Sequence, residues 1–137
     1  MALANFSVSN TVIEINVREI TEWGQAATPY TDAEIDPQSQ LIRGQGGRAI
    51  RNDRLNPGRK AEFYLMPGSA DSGFIQGLLL SGADISMSKT IIGTVEIAVG
   101  AEGVIVSNGQ SGRAGGTISD DQYSIEFNLW DGLRGGL

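Results

Sequence analysis

The sequence predicts a mainly β fold, a β-sandwich or barrel-like domain with one short flanking helix and long Gly-rich loops. Three observations carry this. At least five segments read as strands, and the first and last of them alternate apolar and polar residues with a period of two, the signature of half-buried strands. Glycine supplies 19 of 137 residues, about twice the usual share. Only one stretch, about 70–81, has the spacing and end signals of a helix. A chain of 137 residues supports one core and would spread thin over two, so residues 1–137 read as a single domain with a long loop region at about 22–60.

The first strand is predicted in 11-TVIEINVREI-20, where Ile13, Ile15 and Val17 alternate with Glu14, Asn16 and Arg18. Residues 22–40 are broken by Gly24, Pro29 and Pro37 and carry Glu22, Asp32, Glu34 and Asp36 without a base; they read as loop. The charge then reverses. Arg43, Arg48, Arg51, Arg54, Arg59 and Lys60 face Asp53 alone, and Gly44, Gly46, Gly47 and Pro57-Gly58 predict an extended, hinged loop with short strand pieces at its ends.

A strand follows at 61–66, stopped by Pro67-Gly68. Ser69 is placed to cap a helix at 70–81, Asp71 suits its first turn, and Gly82 ends it. The pairs Phe74/Leu78 and Ile75/Leu79 define apolar stripes, and Gly73 and Gly77 each cost about 1 kcal/mol in a helix interior. Packing of the Phe74/Leu78 stripe is therefore expected to supply the helix's stability. Strands are expected in 90–100, 103–107 and 121–130, with a hairpin turn at Gly100-Ala101-Glu102-Gly103 and a Gly-rich loop at 108–116.

With no histidine and no cysteine, imidazole or thiolate metal sites, His-based proton relays, Cys nucleophiles and disulfides are unavailable. No catalytic, cofactor-binding or metal residues are expected. Gly44 to Ala49 matches G-x-G-x-x-A, but the Pro57-Gly58 pair and the arginine run deny the helix that a dinucleotide site needs. Asp32, Glu34 and Asp36 have the opening spacing of a calcium loop, yet Pro37 and Arg43 stand where Gly and Glu are required. Asp120-Asp121 reads as a turn at a strand start rather than a hydrolytic pair. Asn5-Phe6-Ser7 fits a glycosylation sequon and reads as chance. The opening residues lack a positive n-region, so no signal peptide is expected, and no apolar window is long enough to span a membrane.

The net charge of −6 argues against a dedicated nucleic-acid binder, and the arginine run lacks interleaved aromatics for stacking bases. Two readings remain for the oppositely charged stretches: pairing within the chain or simple solvation, or complementary contact between neighbouring subunits. Separately, Glu14, Glu96 and Glu126 each occupy the middle of an alternating strand. If those strands share one sheet, the three acids share one face.

The order of parts resembles the major tail tube proteins of contractile-tailed bacteriophages. The residues that carry the resemblance are 57-PGRKAEFYLMPGSADSGFIQGLLLSG-82 and 91–131, which includes Glu102 to Val106, the Ile118 to Asp121 turn and Tyr123 to Phe127. The resemblance implies a structural virion protein, not an enzyme. Six protomers would close into a ring, and rings would stack into the hollow tube through which DNA is ejected. The implied partners are other copies of the chain, a sheath protein outside and a tape-measure protein inside, with DNA passing without specific binding and no membrane. The implied location is the virion tail, assembled in the host bacterial cytoplasm. On this reading Glu14, Glu96 and Glu126 line the lumen. Glu22, Asp32, Glu34, Asp36, Arg43, Arg48, Arg51, Arg54 and Arg59 make inter-ring or inter-subunit contacts. The alternative is a non-catalytic adaptor, or an initiator or terminator ring, of a phage tail or related contractile injection device. Outside this class, a monomeric binding module and a carboxylate hydrolase remain open.

Overall fold

The computed structural model describes residues 10–92 and 94–134; the Asn5-Phe6-Ser7 sequon lies outside them. Among these residues the elements are β1 (Thr11–Ile15), β2 (Arg18–Glu19), β3 (Tyr30–Glu34), β4 (Ser39–Arg43), β5 (Ala49–Asp53), β6 (Arg59–Leu65), α1 (Ala70–Ser81), β7 (Ile85–Ile91), β8 (Glu96–Asn108) and β9 (Asp121–Leu133). Seven strands form one antiparallel sheet in the order β2-β1-β7-β8-β9-β6-β3, and β4 pairs only with β5.

Alternation sets the core. Ile13 and Ile15 of β1, Ala61, Phe63 and Leu65 of β6, and Tyr123, Ile125 and Phe127 of β9 are all buried, while their strand neighbours point the other way. The sheet rolls on itself: Lys89 of β7 reaches Asp32 of β3, the last strand, with Nζ 3.1 Å from Oδ2. Trp23 stacks on Phe63 at 6.2 Å, and Tyr30 meets the same ring edge-on at 5.1 Å. Helix α1 lies against the core through Ile75, which is fully buried, and Ser72 Oγ sits 3.0 Å from the buried Tyr123 hydroxyl.

The helix forms over the predicted span. Ser69 accepts from the Ser72 amide, and Gly82 ends the helix at φ 68. Its anchor differs from the expected stripe, however. Ile75 fills the core, whereas Phe74 is half-buried with the Arg18 guanidinium 5.1 Å above its ring. Ser69→Ala should cost about 1 kcal/mol, seen as a shift in the urea midpoint at unchanged m-value.

Three expected elements are placed differently. The strand predicted through residue 20 breaks at Asn16 and Val17, both at positive φ, which form the turn into β2 and leave Val17 89% exposed. Part of the acidic loop is strand, because β3 pairs with β6 from Tyr30↔Phe63 to Glu34↔Arg59. Finally, residues 100–103 make no hairpin turn. They run inside the 13-residue β8, while β7 ends at Ile91 and β8 begins at Glu96, with Val95 just before it at φ 62.

The glycines at 100–103 serve packing instead. A Cβ on Gly103 would lie 2.6 Å from the Phe127 ring and 2.9 Å from the Ile85 carbonyl oxygen. Between them Glu102 takes φ 52, and the alternation resets: Ala98 and Gly100 are buried on one side of it, Gly103 and Ile105 on the other. Gly103→Ala should therefore destabilise the fold by about 1–3 kcal/mol through overpacking, measured as a fall in ΔG of unfolding in urea.

Candidate assembly interface

Between β3 and β6 the chain projects an arm. Residues 38–56 are exposed without interruption, although β4 and β5 are fully paired from Ser39↔Asp53 to Arg43↔Ala49. The would-be dinucleotide motif is the tip of this hairpin: the Gly44 amide donates to the Arg48 carbonyl at 2.7 Å, and Gly47 takes φ 86 to close the turn. Because side chains alternate across the ribbon, Ile42 and Ile50 pair on one face and Leu41 and Arg51 on the other. Leu41 is 69% and Ile50 58% exposed. An isolated two-stranded hairpin is marginal in water, and local bonds help to hold this one: Asp53 accepts from Ser39 Oγ at 2.6 Å and from Arg51 Nε at 2.7 Å, which hold its carboxyl below the usual range.

At the arm's root the charges are buried. The Arg59 guanidinium bonds Asp32, with Nε at 2.9 Å and Nη2 closer still. Lys89 bridges Asp32 at 3.1 Å and Glu96 at 3.3 Å. These four side chains are only 8–17% exposed. Arg59 also lies over the Trp130 ring at 5.7 Å. Burial works against ionised Asp32, but Arg59, the adjoining Tyr30 hydroxyl and Lys89 outweigh it and hold its carboxyl below the ordinary value. Tyr30, whose buried hydroxyl has no partner at hydrogen-bonding geometry, is pushed far above the ordinary phenol value, by burial first and by Asp32 next. The arm roots and the ends of β8 and β9 border an open cleft of about 620 Å³ beside this cluster.

The predicted contact residues thus divide. Arg43, Arg48, Arg51 and Arg54 stand on the exposed arm, and Glu34 and Asp36 at its exposed base. Asp32 and Arg59 do not join them, because each is satisfied by the other inside the protomer. Glu22 is also engaged within the chain, its carboxylate accepting from the Asp71 amide at 3.2 Å. Asp71 in turn accepts from the Thr21 and Glu22 amides at 2.8 and 3.0 Å and from Arg18 at 3.1 Å, tying the helix start to the segment after β2.

The three acids expected on one face are also separated. Glu14 and Glu126 lie on the sheet's outer face, between buried Ile13 and Ile15 and between buried Ile125 and Phe127. Glu96 falls on the opposite side, in phase with buried Ala98 and Gly100, and is held by Lys89. The alternation of Ile97 and Val99 with Glu96 marks the larger apolar residues as inward, whereas the small Ala98 and Gly100 are the buried ones and Glu96 goes with them.

Sequence reasoning passed over the outer face of β8. Ile97, Val99, Val104 and Val106 are 50, 58, 55 and 44% exposed there. The neighbouring rows on β9 add Leu133 opposite Ile97, Asp131 opposite Val99, Leu129 opposite Ala101 and Glu126 opposite Val104. The run of β-branched residues was visible as a strand, and only the alternation of Ala98, Gly100, Gly103 and Ile105 inward marks these four as outward.

No protein-family model and no curated protein matches the chain. Its fold matches solved structures along nearly the whole length. The tube-terminating cap of the anti-feeding prophage aligns with a TM-score of 0.60 at 7% identity, covering 98% of this chain and 95% of the other. A chain of the sheath–tube complex of the PVC extracellular contractile injection system, in the extended state, gives 0.57 at 8% identity over 95% and 92%. The PVC sheath/tube terminator in the extended state gives 0.56 at 12% identity over 97% and 99%. The chain therefore has a fold found in components of contractile injection systems, two of them tube-end components.

Proposed function

We propose that this chain is a structural, non-catalytic subunit of a contractile tail or injection device. Its protomers form a ring, six to a turn, that terminates the tube rather than repeating along it. The observation that carries the terminal position is the near full-length fold match to two tube-ending components. This revises the expectation of a major tube protein in favour of a terminator ring.

The arm supports assembly as the chain's role. A monomer has no use for a paired hairpin that exposes leucine, isoleucine and four arginines, whereas a ring-forming subunit gains contact area from it. Sheath outside and tape-measure protein inside are the partners this position implies, in the tail of the particle. Glu14, with Glu19 opposite it across the β1–β2 pair, is the part of the outer face assigned to the lumen, where like charge would let DNA phosphates pass without binding.

Negative-stain electron microscopy of the purified protein across a salt series tests the reading. Discrete rings that do not lengthen are expected. Long tubes would overturn the terminal role in favour of the repeated subunit, and dispersed monomers under every condition would overturn ring formation by the chain alone.

A further inference from the structure

The arm and the outer face of β8 are complementary surfaces of one chain, and both are exposed among the described residues. The arm presents the exposed Ile42–Ile50 pair on one face, flanked by Arg48 and Arg54 in phase with Ile50, and carries four arginines against the single acid Asp53. The sheet presents Ile97, Val99, Val104 and Val106 in one line. Acids border that line: Glu14 lies in the row of Ser88, Val99 and Asp131, and Glu126 lies opposite Val104, with Lys60 the cation beside it. A stripe of half-exposed aliphatic side chains edged by acids fits a ribbon whose exposed aliphatics are edged by arginines.

We infer that the arm of one copy docks on the outer face of β8 and β9 of another, with the Ile42–Ile50 pair over Val104. Arg48 and Arg54, which flank β5 in phase with Ile50, then meet Glu126 and Asp131. The dimensions agree: a five-residue strand is about 17 Å long and the stripe from residue 97 to 106 about 30 Å, so the ribbon lies within it. Apolar contact at the centre supplies the attraction, and the charged border sets the register and excludes other approaches. Glu126 becomes an interface acid rather than a lumen acid. The inference rests on the reading of the chain as an assembling subunit and names the surface its arm engages.

The absence of native cysteine makes the contact directly testable. Ile50→Cys and Val104→Cys, both at exposed positions, are produced separately, mixed, allowed to assemble and mildly oxidised. The mixed disulfide is quantified by mass spectrometry, with Ile50→Cys mixed with Val17→Cys as the reference pair and electron microscopy of the same samples. The 50/104 pair is expected to exceed the 50/17 pair at least tenfold. Rings without that excess would overturn the docking surface and leave the ring reading standing. A 50/104 disulfide confined to dimers would uphold the docking and overturn the ring. Neither rings nor cross-link would overturn both.

Discussion

R48E/R54E is expected to abolish rings while leaving the protomer folded. Both residues sit on the arm at exposed positions, in phase with Ile50. Surface changes of this kind alter stability by about 0.5 kcal/mol or less, so the melting temperature should hold within about 3 °C. Assembly responds differently. Each reversal replaces an attraction with a like-charge contact, and juxtaposed like charges cost several kcal/mol at an interface. Closed symmetry repeats that cost at every subunit boundary, so the effect is all or none at concentrations where the native chain assembles. Sedimentation velocity and electron microscopy read assembly, circular dichroism reads the fold. Unchanged rings would remove the arm from the interface. In the native chain, raising salt should weaken assembly only in part, because screening over about 8 Å at physiological salt reaches the charged border and not the apolar centre.

The helix was legible to the residue because its signals are local. Ser69 caps it, Gly82 ends it, and nothing distant has to be known. The arm was half legible: glycines at 44, 46 and 47 marked a hinge, but the pairing of β4 with β5 sets Ile42 against Ile50 across that hinge, and no periodic burial reveals it since every residue is exposed. The 100–103 segment misled for a physical reason. Its glycines make room for the Phe127 ring on a neighbouring strand, whereas the real turn carries Val95, a β-branched residue in a conformation that glycine or asparagine would adopt more readily.

The root cluster was hidden by the same limitation. Asp32 and Arg59 are 27 residues apart and look like members of an acidic and a basic run. Only the β3–β6 register brings the two strands side by side, and only the roll of the sheet carries Lys89 and Glu96 to them. Charge runs in a sequence therefore mix two populations: arginines exposed on the arm, one of them tied locally to Asp53, and one that closes its own fold.

Asp32→Asn is expected to destabilise the protomer by about 2–3 kcal/mol, near the low end of what breaking a buried pair costs. The figure stays low because Lys89 keeps Glu96 and Arg59 keeps the Trp130 face. Thermal unfolding should shift down by roughly 6–12 °C for a chain of this size. The sign of the pH effect follows from the lowered carboxyl. Ionised Asp32 contributes stability that is complete above its ordinary value of 3.8 and is lost as pH falls through the lower folded value. The gap between native and variant should thus be constant from about pH 5 to 8 and narrow below about pH 4, where the Asp32 carboxyl begins to protonate in the unfolded chain while the folded one is still ionised; a gap independent of pH would mean that the charge does not matter. Replacing Asp32, Arg59, Lys89 and Glu96 together by apolar residues of similar volume should cost much less than Asp32→Asn alone, since desolvation of the charges disappears with their attraction. If that variant folds stably yet fails to form rings, the cluster's contribution lies in fixing the arm's direction at its root, because the arm itself would be unchanged.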